Sequence, residues 1–184
     1  VPAGRVSPQA ALTFVIVNSI LFCATTYFIN NLTFYLSPVA LLVVLGYSYT
    51  KRFTSLANFA LGLSLSIAPT GAYIAVTGEF AVLPVLYSVI VLLWSGGFDI
   101  IYALPDEEFD KSVKLKSIPV LLGRRNAMIL SWTVHIIAAL IVIYVGFSHH
   151  LLYWIGAAIF IFLLNYQHII VKPNDLSKLN AAFF

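Results

Sequence analysis

The sequence predicts an all-α fold: a polytopic bundle of six transmembrane helices, with residues 1–184 forming one domain. Three observations predict it. Apolar and aromatic residues (AVILMFWYC) make up 61% of the chain, only 9% is charged, and the mean hydropathy is +0.97. A soluble domain carries about a quarter charged residues. Six apolar runs reach the length that a bilayer requires. The basic residues are confined to alternate connections, the asymmetry that orients helical membrane proteins.

The runs cover residues 10–29, 32–49, 58–77, 81–104, 126–147 and 151–171. Helices are the default for such spans, because lipid offers no partner to a backbone N–H or C=O. The runs also exceed barrel-strand length. Two links are tight, Asn30-Asn31 and Thr77-Gly-Glu-Phe80. In the third span Ala60, Ser64, Ala68 and Ala72 recur every four residues, beside Gly62, Ser66 and Thr70. That pattern predicts close helix approach. Pro38, Pro69 and Pro84 are expected to bend or loosen their spans. The single cysteine, Cys23, excludes a disulfide framework. His135, His168 and His149-His150 have no spacing that joins them to carboxylates, and Trp94, Trp132 and Trp154 read as packing or interface residues.

With strict alternation, all ten Lys and Arg lie on one side. Arg5 precedes the first span, Lys51 and Arg52 follow the second, and Lys111, Lys114, Lys116, Arg124 and Arg125 follow the fourth. Lys172 and Lys178 follow the sixth. The positive-inside rule makes this side cytoplasmic. The other side receives Asn30, Asn31, Glu79, His149 and His150.

The acidic residues are concentrated too. Five of the seven, Asp99, Asp106, Glu107, Glu108 and Asp110, fall in one window directly after the fourth run and before the basic loop. On a helix, Asp99, Asp106 and Asp110 share one face, with Pro105 distorting it. Glu107 and Glu108 fall off that face and are expected to be solvated. Carboxylates at a membrane boundary are costly unless paired or bound to a cation. Oxygen donors one turn apart suit Mg²⁺, which shares its coordination with phosphates. Lysines close by then suit a ligand that carries phosphate oxygens. The plainer alternative is a solvated loop whose acids pair with its own lysines. From spacing alone the two readings stand level.

The surrounding residues carry a resemblance. Asp99-Ile-Ile-Tyr102-Ala103-Leu-Pro-Asp106-Glu-Glu-Phe-Asp110, then Lys116-Ser117 before an apolar run ending at Gly123, resembles the second aspartate-rich motif of the UbiA family of intramembrane prenyltransferases. Tyr47-Ser-Tyr-Thr-Lys51-Arg52 is similar to that family's Y-x-x-x-K-R/K. Ala68-Pro-Thr-Gly-Ala72, Val76-Thr-Gly-Glu-Phe80 and Pro173 to Asn180 also resemble it. The resemblance runs in order along nearly the whole chain.

It implies a polyprenyl diphosphate and an aromatic acid as substrates, Mg²⁺ as cofactor, the lipid bilayer as surroundings and no nucleic-acid partner. Asp106 and Asp110 would bind the metal, with Asp99 as ligand or support. Lys116 would take charge from the departing diphosphate, with Lys114, Lys51 and Arg52 assisting. Ser117, Tyr102 and Tyr47 would line the substrate site. A 4-hydroxybenzoate-like acceptor is the first choice and a menaquinone-pathway acceptor the second. The expected location is a bacterial inner membrane, with the site facing the cytoplasm. The family's first motif, N-D-x-x-D-x-x-x-D, is absent from this sequence. Val1-Pro-Ala-Gly-Arg5 resembles the tail of the stretch that follows it, and 175–184 reads like the start of another helix. The expectation is therefore a piece cut at both ends, with six of nine helices. A membrane subunit without catalysis is the alternative from another class.

Overall fold

The computed structural model describes residues 6–182. Seven α-helices follow one another: α1 (Pro8–Tyr27), α2 (Asn31–Thr50), α3 (Ala57–Thr77), α4 (Val82–Tyr102), α5 (Glu107–Ser112), α6 (Ile118–Gly146) and α7 (Leu151–Ile170). All but α5 are long and apolar enough to cross a membrane. A 3₁₀ turn (Asn180–Ala182) ends the described chain. The protein is a polytopic helical membrane protein with six candidate spans.

Local chemistry explains the boundaries. Ser7 caps α1 by accepting a hydrogen bond from Ala10 N at 3.1 Å, with proline next in line. Asn30 caps α2 through Thr33 N at 2.8 Å. Its amide also donates to the carbonyls of Ile74 and Ala75 at 2.8 and 3.2 Å, pinning the start of α2 to the end of α3. α3 stops at Gly78, whose φ of 73° is left-handed.

The helices pack in the order α1, α2, α3, α4, α6, α7, with α4 in the middle. Small residues set the closest approach, and the pattern of the third span divides between two neighbouring helices. A Cβ on Gly62 would stand 2.5 Å from the Leu92 carbonyl oxygen, and one on Gly96 would stand 2.8 Å from the Phe59 ring. Buried Gly62 thus marks the α4 side of α3. Ser64, from the predicted stripe, instead reaches the Val43 carbonyl of α2 at 3.3 Å. Ser131 of α6 donates to the Gly97 carbonyl at 2.6 Å, and His135 presses against the same glycine. The main core joins Ile100, Ile101 and Leu104 to Ile118, Ala127, Met128, Val171 and Leu179, at the end of the bundle that carries the acidic window.

Three expectations are corrected. The acidic window is not one helix: α4 ends at Tyr102, Pro105 follows, and α5 begins at Glu107. Asp99 and Asp110 therefore lie on separate helices. The fifth span starts earlier than residue 126. α6 opens with a short turn from Ile118, breaks at Gly123 (φ 76°, ψ 161°) and resumes, so Arg124 and Arg125 are helical rather than in a loop. That backbone conformation belongs to glycine. Residues 175–182 form no α-helix. Asp175 Oδ1 accepts from Ser177 N at 3.0 Å in a tight turn, and only the 3₁₀ turn follows. Arg5, the rest of the 1–5 stretch and residues 183–184 lie outside the described residues.

Candidate functional site

The site gathers where the links α2–α3, α4–α5 and α5–α6 meet. Asp110 anchors it. It is buried, 2% exposed, inside a six-residue helix that could not stand alone. Lys51 Nζ, arriving from the end of α2, donates to Asp110 Oδ2 at 3.3 Å. A buried carboxylate without such a partner would be strongly destabilising. The Asp110 backbone is fixed as well. Its N–H donates to the Asp106 carbonyl at 2.7 Å, and its own carbonyl accepts from Leu115 N at 2.8 Å. The second bond closes α5 with Lys114 in the left-handed position, at φ 57°.

Lys116 zips the two basic links together. Its N–H donates to the Lys51 carbonyl at 2.7 Å, and its Nζ to the Phe53 carbonyl at 3.1 Å. Lys51, Asp110 and Lys116 thus come together from segments about 60 residues apart. Asp106 is exposed at the start of α5. Asp99 lies at the end of α4. Its carboxylate Oδ2 and its carbonyl accept from Asn58 Nδ2 at 2.8 and 3.3 Å.

Arg52 stacks over the Tyr49 ring at 5.6 Å. Tyr47 and Tyr102 are exposed, at 37% and 56%. Ser117 is fully buried, and its hydroxyl has no hydrogen-bond partner among the described residues. Lys114 is exposed.

Two features escaped the sequence reading. Glu107 is not solvated; it is 8% exposed and clasped by Lys111 at 2.6 Å and Arg124 at 3.1 Å. The Lys111 hydrogen bond, helped by Arg124, holds its carboxyl below the ordinary glutamate value. The break at Gly123 brings Arg124 back to α5, and no spacing rule announces that. Glu108 is exposed as expected, with Arg124 at 3.8 Å. Here the loop's acids do pair with its own bases, whereas Asp110 pairs across the fold. The second feature, Asn58, did carry a signal, since a polar residue in the first turn of an apolar span is a functional candidate by default.

Among the described residues no three His, Cys, Asp or Glu side chains converge as a ready-made metal centre. His135 and His168 face each other at 2.8 Å, with Gln167 and the Trp94 carbonyl completing a polar knot between helices. At the opposite end from Asp110, an apolar cavity of about 580 Å³ opens between α1, α2 and α3, lined by residues such as Phe22, Thr26, Leu63, Ile67 and Phe80.

A model of the UbiA prenyltransferase family matches residues 1–184. A 4-hydroxybenzoate octaprenyltransferase from Tolumonas auensis is 33% identical over 127 residues, covering 69% of this chain and 44% of that protein. One from Aliivibrio fischeri is 29% identical over 183 residues, covering 99% of this chain and 64% of that protein. The chain therefore spans about half to two thirds of the length of these relatives. An apo structure of a UbiA homolog from Aeropyrum pernix K1 matches with a TM-score of 0.86 at 28% identity, over 98% of this chain and 67% of that one. The pairing of Lys51 with Asp110 gathers the residues that motif reading had singled out, and the family match extends over the whole sequence: the chain belongs to the UbiA prenyltransferase family.

Proposed function

We propose that this chain provides a diphosphate-binding half-site of an aromatic prenyltransferase, which moves a polyprenyl chain from its diphosphate to a 4-hydroxybenzoate-like acceptor. The observation that carries the reading is buried Asp110 held by Lys51, with the Lys116 strand zipped onto the same link. The relatives' printed names support the acceptor class. We place the site on the cytoplasmic face of a bacterial inner membrane, from the clustering of basic residues.

The donor chemistry fits Mg²⁺. Asp99, Asp106 and Asp110 offer only carboxylate oxygen, and Asp99 Oδ1 has no protein hydrogen bond among the described residues. Asp106 and Asp110 would hold the cation, with Asp99 as third ligand or support. Bound there, Mg²⁺ supplies charge neutralisation for a departing diphosphate. Lys51 and Lys116 would bind diphosphate oxygens, with Lys114 and Arg52 at the rim. Ser117 would support the backbone they share rather than touch substrate, because it is fully buried. Tyr47 and Tyr102 would face the allylic group with their rings. The apolar cavity, at the far end from Asp110, would take the distal part of the tail. The allylic C–O bond breaks, a ring carbon of the acceptor bonds the freed carbon, and the ring loses a proton.

The test is prenyl transfer by the native gene product in membranes. It would be given labelled polyprenyl diphosphate and a panel of aromatic acceptors, with Mg²⁺ or with a chelator. Metal-dependent product with 4-hydroxybenzoate is the expected outcome. Preference for a naphthoate would move the chain to a menaquinone-type acceptor. No product from folded protein with any acceptor would sink the reading.

A further inference from the structure

Asn58 sits in the first turn of α3 and is fully buried, and among the described residues its side chain makes no hydrogen bond to Lys51 or the α5 acids. Its side chain nevertheless bonds two other helices of the site. Oδ1 accepts from Ile118 N at 3.2 Å, the first residue of α6. Nδ2 donates to Asp99 Oδ2 at 2.8 Å and to the Asp99 carbonyl at 3.3 Å, at the end of α4. Chemistry fixes the amide's orientation. A backbone N–H can only donate, so Oδ1 must face Ile118. The Asp99 carbonyl can only accept, so Nδ2 must face Asp99. No other residue type of this size offers an acceptor and a double donor in one rigid plane.

The arrangement sets the state of Asp99. One carboxylate oxygen is held in place, and the other has no hydrogen-bond partner among the described residues. The link from α6 runs through Ile118, directly after Lys116 and Ser117. A single buried amide therefore registers the acid at the end of α4 against the segment that carries Lys116.

We propose that Asn58 is a positioning residue for Asp99, which holds one carboxylate oxygen so that the other is presented to a divalent cation. The inference rests on the reading that Asp99 helps to hold that cation. A ligand whose supporting hydrogen bond is lost typically loses about 10- to 100-fold in metal affinity. Asn58 differs from a residue that merely packs, because its loss should weaken metal binding in protein that remains folded.

The experiment titrates Mn²⁺, followed by electron paramagnetic resonance, into the native gene product in lipid nanodiscs with inorganic pyrophosphate present. Wild type is compared with Asn58→Leu, Asn58→Gln and Asp99→Asn, with folding of each checked by thermal unfolding. Asn58→Leu removes the amide and keeps the volume. Asn58→Gln keeps the amide but shifts it along the stem, and it serves if the leucine variant does not fold. The expected result is Mn²⁺ affinity lowered about 10- to 100-fold in folded Asn58→Leu, with a smaller loss in Asn58→Gln. Wild-type affinity in both folded Asn58 variants, while Asp99→Asn is weakened, overturns the positioning role and leaves the metal reading intact. Wild-type affinity in Asp99→Asn overturns the reading of Asp99, and the inference falls with it.

Discussion

The α3–α4–α6 unit and the α1–α2 hairpin are both built from apolar spans, α3 and α4 with the same hydropathy as α1 and α2, and are used in opposite ways. α4 buries Pro84, Ile90, Ser95, Gly96, Gly97, Ile100 and Ile101 against its neighbours. α1 buries only Thr26 and α2 only Ser37, while Phe14 and Ile20 of α1 stand 70% and 62% exposed. Hydrophobicity does not separate the two, because lipid solvates an apolar side chain as well as a protein core does. Small residues and paired polar groups do. Gly62, Gly96 and Gly97 let α3, α4 and α6 approach closely, and Asn58 and Ser131 cross-link them. The proposed chemistry sits at the end of the tightly packed unit, where rigid helices hold the acids in place. The open cavity lies where the hairpin meets α3.

The largest effect that would sharpen this contrast is at the acidic end. Asp110→Asn should lower Mg²⁺-dependent turnover by about 10²-fold or more, whereas Glu108→Gln, exposed and off the acid face, should change it little. Steady-state transfer assays on both variants check this, and equal effects would break the assignment of Asp110.

Next comes packing. Gly62→Ala drives a methyl group to within 2.5 Å of a backbone oxygen, so α3 and α4 must part, at a cost of about 1–3 kcal/mol. Ile20→Ala on α1 should stay within about 0.5 kcal/mol. Unfolding in detergent would show whether the two regions differ as the geometry requires.

A smaller, pH-dependent effect tests the α5 latch. In the folded protein Lys111 and Arg124 hold the Glu107 carboxyl below its free value of 4.5. The stabilisation is therefore fully present above pH 4.5 and is lost as the pH falls through the folded value. Glu107→Gln should be less stable than wild type near neutrality, and the two should converge on acidification. A constant gap across the acid range would show that the latch is steric rather than ionic. The smallest expected change is Glu79→Gln in the α3–α4 link, an exposed acid far from the others, which should leave both turnover and stability near wild type.

Much of this was legible in one sequence, for identifiable reasons. Long apolar runs without partners for their backbone must be helices, so the six spans, including the link around Asn30, follow from composition and length. The spacing of Asp106 and Asp110 with Lys116, and Lys51 placed after α2, could be read as motifs because they resemble those of the family that the chain belongs to. Where the chain bends was not legible. Pro105 warned of a distortion, yet only the fold divides the acids between α4 and α5. Nothing local says that Gly123 adopts φ 76° and returns Arg124 to Glu107. The small-residue pattern of the third span was visible, but not that Gly62 would meet α4 while Ser64 turned to α2.

The sequence by itself determined that this chain lies in a membrane, how many times it can cross, and which residues carry charge at one end. Those properties are sums over local composition and need no neighbours. The tertiary structure decided which polar groups meet: Lys51 with Asp110, Arg124 with Glu107, and Asn58 with both Asp99 and Ile118. Those pairings depend on helix rotation and on approach distance. Both are set by where two helices first touch, and no single helix contains that information.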